Sequence, residues 1–113
     1  MEKFIKGDIV VVPFPFSDLS NSKRRPAFVV RDFGEDVLLA QITSKSYRDE
    51  FAIQINLNDF NEGSLNVVSY LRPEKLFTCS KNLILYKTAS LKAKKSNRII
   101  NRITELISGK KEV

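Results

Sequence analysis

Short β-prone runs, each closed by a turn residue, fill most of this 113-residue chain, and one segment of helical period follows them. Gly7 and Asp8 open the first run, residues 9–12, and Pro13 and Pro15 force it to stop or to lie along an edge, because proline has no N–H for a ladder. The polar, basic stretch over residues 17–25 reads as a loop or a long hairpin connection. Runs at residues 27–30 and 37–42 follow, divided by the turn sequence Phe33-Gly34-Glu35-Asp36. Phe51, Ile53, Ile55 and Leu57 alternate with Ala52, Gln54 and Asn56, the period-two mark of a half-buried strand. Asn61-Glu62-Gly63 reads as a turn, and further strands are expected at residues 67–71, 75–78 and 83–86.

The last segment changes period. Ile99, Ile100, Ile103, Leu106 and Ile107 recur at helical spacing, with Ser96 as the expected N-cap and Gly109 as the expected stop. A helix with one apolar stripe needs a surface to cover, and short strands with tight turns bury a core by bending their sheet. The expectation is a mainly β fold of about six or seven short strands, a small bent barrel with a C-terminal α-helix laid against it, formed by one domain over residues 1–113.

Composition narrows the chemistry more than the fold. The longest apolar stretch, residues 9–16, is too short to span a bilayer and carries two prolines. The opening MEKFIKGD has an acid at its second position and no apolar run before a small-residue site. It reads as no signal peptide and points to a cytoplasmic location without membrane attachment. Cys79 is the only cysteine, which suits a reducing compartment and a strand-buried thiol. Histidine is absent, which excludes a Ser-His-Asp or Cys-His triad, a paired-histidine ribonuclease and a histidine-ligated zinc site. Chemistry must then run on Arg, Lys, Asp, Glu, Tyr, Ser, Thr or one thiol, and neither a metal nor a cofactor is expected. The net charge of +6 favours an anionic partner, yet it is uneven. Residues 1–80 hold ten Lys/Arg against eleven Asp/Glu, whereas residues 81–113 hold nine against two.

Three blocks carry a resemblance. Residues 7–30, GDIVVVPFPFSDLSNSKRRPAFVV, combine a Gly-Asp start, a polar loop and an Arg-Pro pair before an apolar strand. Gln41-Ile42-Thr43-Ser44 ends a strand, and Asn66-Val67-Val68-Ser69-Tyr70-Leu71-Arg72-Pro73-Glu74-Lys75-Leu76-Phe77-Thr78 comes later in the chain. In this order and length, over roughly residues 5–108, the chain resembles the MazF/PemK toxin family. The resemblance implies an SH3-like β-barrel, often a homodimer, that cleaves single-stranded RNA (mRNA) and is neutralised by a cognate antitoxin. It also implies roles: Arg25 matches the family's catalytic arginine and Thr43 its catalytic threonine. Arg72 and Glu74 match an arginine and an aspartate that the PemK branch uses two residues apart. Here the acid is Glu, with Pro73 between the pair, and the branch's first-loop histidine is missing.

The residues suit that chemistry on their own terms. RNA supplies its own nucleophile, the 2′-hydroxyl, so a protein has only to align it, remove its proton and stabilise charge on phosphorus. Arg25 can grip two phosphate oxygens with its planar fork, Thr43 can donate a hydroxyl hydrogen, and Glu74 can accept the 2′ proton. Arg72 suits electrostatic stabilisation, since a guanidinium surrenders its proton reluctantly. Lys23 and Arg24 are candidates for positioning the backbone, Ser44 is the alternative to Thr43, and Phe14, Phe16 and Tyr47 are candidates for stacking on bases. Each has a plainer reading: Lys23-Arg24-Arg25 as a solvated loop, Arg72 and Glu74 as a surface salt bridge, and the aromatics as core. Two rival functions belong to the same fold, a non-catalytic RNA-binding barrel and a gyrase-poisoning toxin.

Overall fold

In the computed structural model, which describes residues 2–14, 23–45 and 50–109, seven strands and one α-helix follow one another among the described residues. The strands are β1 (Asp8–Phe14), β2 (Lys23–Asp32), β3 (Asp36–Thr43), β4 (Ile53–Ile55), β5 (Phe60–Gly63), β6 (Ser69–Ser80) and β7 (Tyr86–Leu91), and the helix is α1 (Ala93–Ser108). They pair antiparallel into one curled sheet in the order β4-β6-β3-β2-β1-β7-β5, with β4 and β5 at its edges. The expected bent β architecture with a terminal helix is therefore present. Phe16 and Tyr47 lie outside the described residues.

The first apolar run is continuous because both faces of its strand are buried. Ile9 joins Phe28, Ala40, Ile42, Leu71, Ile99 and Ile103 in the core beneath α1. Val10 and Val12 join Phe4, Ala27, Val29, Leu39 and Cys79 in a second core on the opposite face. Register shifts in the β1/β7, β2/β3, β3/β6 and β5/β7 pairings sharpen the bend between the two cores. Cys79 is buried in the second core, and burial pushes its thiol pKa up, with Asp36 adding to the effect. That environment makes it a packing group with little thiolate.

Five sequence expectations shift. Residues 23–25, expected in a loop or long hairpin connection, open strand β2 and pair with β1. The two strands expected at 67–71 and 75–78 are one strand, β6, which passes through Pro73. The turn expected at 61–63 is strand β5, held by pairing with β7. The last strand runs later than expected, over Tyr86–Leu91, and Leu83 instead closes a short 3-10 turn. The helix starts at Ala93, so Ser96 lies inside its first turn, where its N–H donates to the Lys92 carbonyl at 3.0 Å. Gly109 does end the helix, at φ 72°, with its N–H on the Glu105 carbonyl at 2.9 Å. Of the expected apolar stripe, Ile99 and Ile103 are buried, whereas Ile107 is 72% exposed.

Gly7 explains both the helix start and the Gly-Asp opening. Its φ is +100°, and a Cβ there would run into Ser96 Oγ. A glycine thus lets the first turn of α1 lie directly on the start of β1. Asp8, nearly fully buried, accepts the Ile5 N–H at 2.9 Å and sits 3.4 Å from Lys87 Nζ, so this pair of residues anchors the strand. The carboxylate in turn pushes the Lys87 pKa up.

Candidate active site

Arg25, Thr43 and Arg72 come from three neighbouring strands, β2, β3 and β6, and pairing decides which way they point. Residues directly opposite one another in an antiparallel ladder share a face, as do residues two apart along a strand. Arg25 lies opposite Val12, whose side chain is in the second core. Ala27, two residues on and also in that core, lies opposite Gln41, and Gln41 lies opposite Arg72. Thr43 lies opposite Tyr70, and Tyr70 lies opposite Gln54 on the edge strand β4. Continuing the β2/β3 register by two residues sets Arg25 level with Thr43. Arg25, Gln41, Thr43, Tyr70, Arg72 and Gln54 therefore project from one face, opposite to the one α1 covers, at one end of the central strands.

A bulge adds the acid. Ala40 pairs with Leu76 and the next residue, Gln41, pairs with Arg72, so Pro73, Glu74 and Lys75 are extra residues on β6. Proline fits such a bulge because no ladder bond is asked of it, and Pro73 is fully buried there. The bulge brings the side chains of Arg72 and Glu74 together, with Nη2 donating to Oε2 at 3.2 Å. Both remain accessible, at 19% and 30% side-chain exposure, so the pair faces solvent at the rim of the row.

The remaining candidates divide. Phe14 and Lys23 are opposite one another and follow Val12 and Arg25 by alternation onto the same face. Phe14 rests against Phe77 at 5.8 Å between ring centroids, so it is partly a core residue and partly available. Arg24 is exposed but alternates with Arg25, which puts it with Phe28 on the face toward α1. Ser44 is exposed just beyond β3, while Thr43 is buried and its Oγ1 accepts the Lys45 N–H at 3.2 Å. That bond leaves the threonine hydroxyl hydrogen for another acceptor. Gln41 and Tyr70 complete the row and were not singled out by residue type. Gln41 could have been found by counting two residues on from buried Leu39, but Tyr70 could not, because the bulge hides the β6 register.

The row can grip an oxyanion with two guanidinium groups, donate a hydroxyl hydrogen and present one carboxylate. The model of the PemK-like, MazF-like toxins of type II toxin-antitoxin systems matches residues 5–107. No curated protein sequence matches the chain. Among solved structures, an endoribonuclease in complex with its cognate antitoxin from mycobacterial species aligns with a TM-score of 0.70 at 12% identity, covering 96% of each chain. An endoribonuclease from mycobacterial species aligns with a TM-score of 0.70 at 14% identity, covering 96% of this chain and 94% of the other. The Mycobacterium tuberculosis toxin MazF-mt6 aligns with a TM-score of 0.67 at 13% identity, covering 88% of this chain and 93% of the other. At such identities the likeness is one of fold, and it is the family model, spanning nearly the whole chain, that assigns this protein to the PemK-like, MazF-like toxins of type II toxin-antitoxin systems.

Proposed function

We propose that this protein is a metal-independent endoribonuclease that cleaves single-stranded RNA by attack of the 2′-hydroxyl on the adjacent phosphorus. The observation that supports this reading best is the shared face of Arg25, Thr43 and Arg72, with Glu74 held beside Arg72 by the β6 bulge. In the reaction, a bond forms between the 2′ oxygen and phosphorus while the bond to the 5′ oxygen breaks. Glu74 takes the 2′ proton, and the 5′ oxygen leaves with a proton from solvent. Arg25 holds the non-bridging oxygens, Arg72 stabilises the charge that grows on them, and Thr43 donates one hydrogen bond. Fixed donors aimed at developing charge are the largest contribution available to a site with no histidine. Alignment of the backbone for in-line attack must also contribute much of the rate. Lys23 and Phe14 are suited to hold a neighbouring phosphate and base.

The whole chain, 1–113, is read as one toxin domain acting as a homodimer in the cytoplasm, and a cognate antitoxin is its regulator. An acidic, partly disordered segment of that antitoxin would occupy the same electropositive face and exclude RNA. Incubating the purified protein with a long single-stranded RNA and mapping the new 5′ ends tests the activity. Products should carry a 5′-hydroxyl and a 2′,3′-cyclic or 3′ phosphate, EDTA should leave the rate unchanged, and one 2′-deoxy substitution at the scissile nucleotide should abolish cleavage. A magnesium-dependent reaction leaving 5′-phosphates would reject the mechanism.

A further inference from the structure

On the far side of the molecule from the row, α1 carries a line of cations that the cleavage chemistry does not use. Lys94, Arg98 and Arg102 stand four residues apart, which is a repeat of ~6 Å along a helix. Asn97 and Asn101 lie beside them, and together they form one wall of an open groove of about 610 Å³. Phe51 and Ile53, on the approach to β4 and its first residue, form the other wall. A second groove of about 320 Å³ shares Lys94 and Arg98 and extends to Lys92 and Lys95.

The cations have different tasks. Lys95 donates to the Gln54 carbonyl at 2.8 Å and sits 3.3 Å from Asp59, so it ties α1 to the edge of the sheet. Arg102 lies over the Phe51 ring, 5.7 Å from its centroid, and near Glu105 at 3.9 Å. Lys94 and Arg98 are exposed, and among the described residues no carboxylate pairs with either. Glu50 and Glu105 are the acids that rim the first groove.

Place and composition together identify the occupant. β4 is the edge strand whose Gln54 continues the row through Tyr70 to Thr43, and the groove borders that same strand. An RNA strand leaving the Thr43 end of the row has only to cross β4 to reach α1. A ~6 Å repeat of charge resembles the spacing of successive phosphates in an extended single strand. An aromatic ring beside Arg, Lys and Asn side chains is the combination that binds single strands without sequence preference. An acidic amphipathic helix would need a long apolar seat, which this groove lacks.

We propose that Lys94 and Arg98, with Arg102 and Phe51, form a secondary binding strip for RNA that flanks the cleavage site. The inference rests on the endoribonuclease reading, and the test separates the two. The probes are oligonucleotides carrying the mapped cleavage sequence with a 2′-deoxy scissile nucleotide, one of about 5 and one of about 15 nucleotides. In the double variant Lys94→Gln/Arg98→Gln, affinity for the longer probe should fall on the order of tenfold at low salt. The slope of log affinity against log salt should shrink by about 1.4, the value for two lost phosphate contacts on a single strand. Binding of the short probe and its cleavage in the all-RNA form should be unchanged. A variant that binds the long probe as tightly as wild type, while wild type cleaves RNA, would overturn the strip alone. Loss of affinity confined to an acidic polypeptide such as polyglutamate would likewise overturn it. Wild type that neither binds nor cleaves RNA would instead bring down the underlying reading and the strip with it.

Discussion

A single salt bridge shows how a side chain's role follows from its surroundings. Arg72 and Glu74 are 3.2 Å apart and both are accessible to solvent, a setting in which an ion pair contributes roughly 0–1 kcal/mol to stability. If the pair only closes the bulge within β6, removing it should matter little to anything. If Glu74 is the base, Glu74→Gln should lower the cleavage rate by about two to four orders of magnitude, the range for a positioned general base. Arg72→Ala should lower it by about two to three, the range for one charge donor. Both variants should melt within a few degrees of wild type. Near-normal cleavage by Arg72→Ala would return the pair to the role of a surface contact. Asp32 is the contrasting case, an acid used for structure. It accepts the Phe4 N–H at 2.8 Å and the Gly34 N–H at 2.7 Å and meets Lys81 Nζ at 2.8 Å. The Lys81 bond first, then the two backbone donors, lower its pKa to about 2.

Asp32 acts between elements, because its partners lie on the N-terminal segment, the β2/β3 turn and the turn after β6. Since the folded pKa is lowered, its contribution is complete above the unfolded value near 3.8 and is lost as pH falls through about 2. Asp32→Asn should therefore melt lower than wild type at neutral pH, and the gap should close as the pH is taken from about 4 to about 2. A gap independent of pH across that range would remove the carboxylate from the account. Elements also show what was legible beforehand. β1, the second half of β2 and β3 could be read because their apolar runs are bounded by Pro, Gly and Asp, whereas Lys23-Arg24-Arg25 at the start of β2 read as loop because it is polar. β7 was displaced because its residues, Tyr86–Leu91, include Lys87 and Ala89, types depleted in strands, and lack an apolar run. β6 was split in two because Pro73 reads as a boundary, although a bulge admits it without a lost ladder bond. The helix start was misplaced because Ser96 is a good cap by type. It is buried in the first turn because Gly7 leaves room for it. The four residues with proposed roles in cleavage could be picked by resemblance, but their common face could not, since it depends on the register across the bulge.

At the scale of the molecule, the two faces of one sheet carry different polar surfaces. One face carries the row of Arg25, Thr43, Arg72 and Glu74, and the other is covered by α1, which carries Lys94, Lys95, Arg98 and Arg102, four of the nine Lys/Arg of residues 81–113. The edge strand β4 touches both, so a polyanion can extend from one to the other without crossing the core. Among the described residues no helix is long and apolar enough to cross a membrane. The central claim is that the row cuts RNA, and Arg25 is its least ambiguous member because it is only partly buried and belongs to neither hydrophobic core. The most direct measurement is single-turnover cleavage of one oligoribonucleotide by wild type and by Arg25→Ala, with thermal melts run on the same samples. Melting temperatures should agree, and the rate should be lower by about two to three orders of magnitude, the loss typical of one transition-state donor. A well-folded Arg25→Ala that cleaves at the wild-type rate would contradict it.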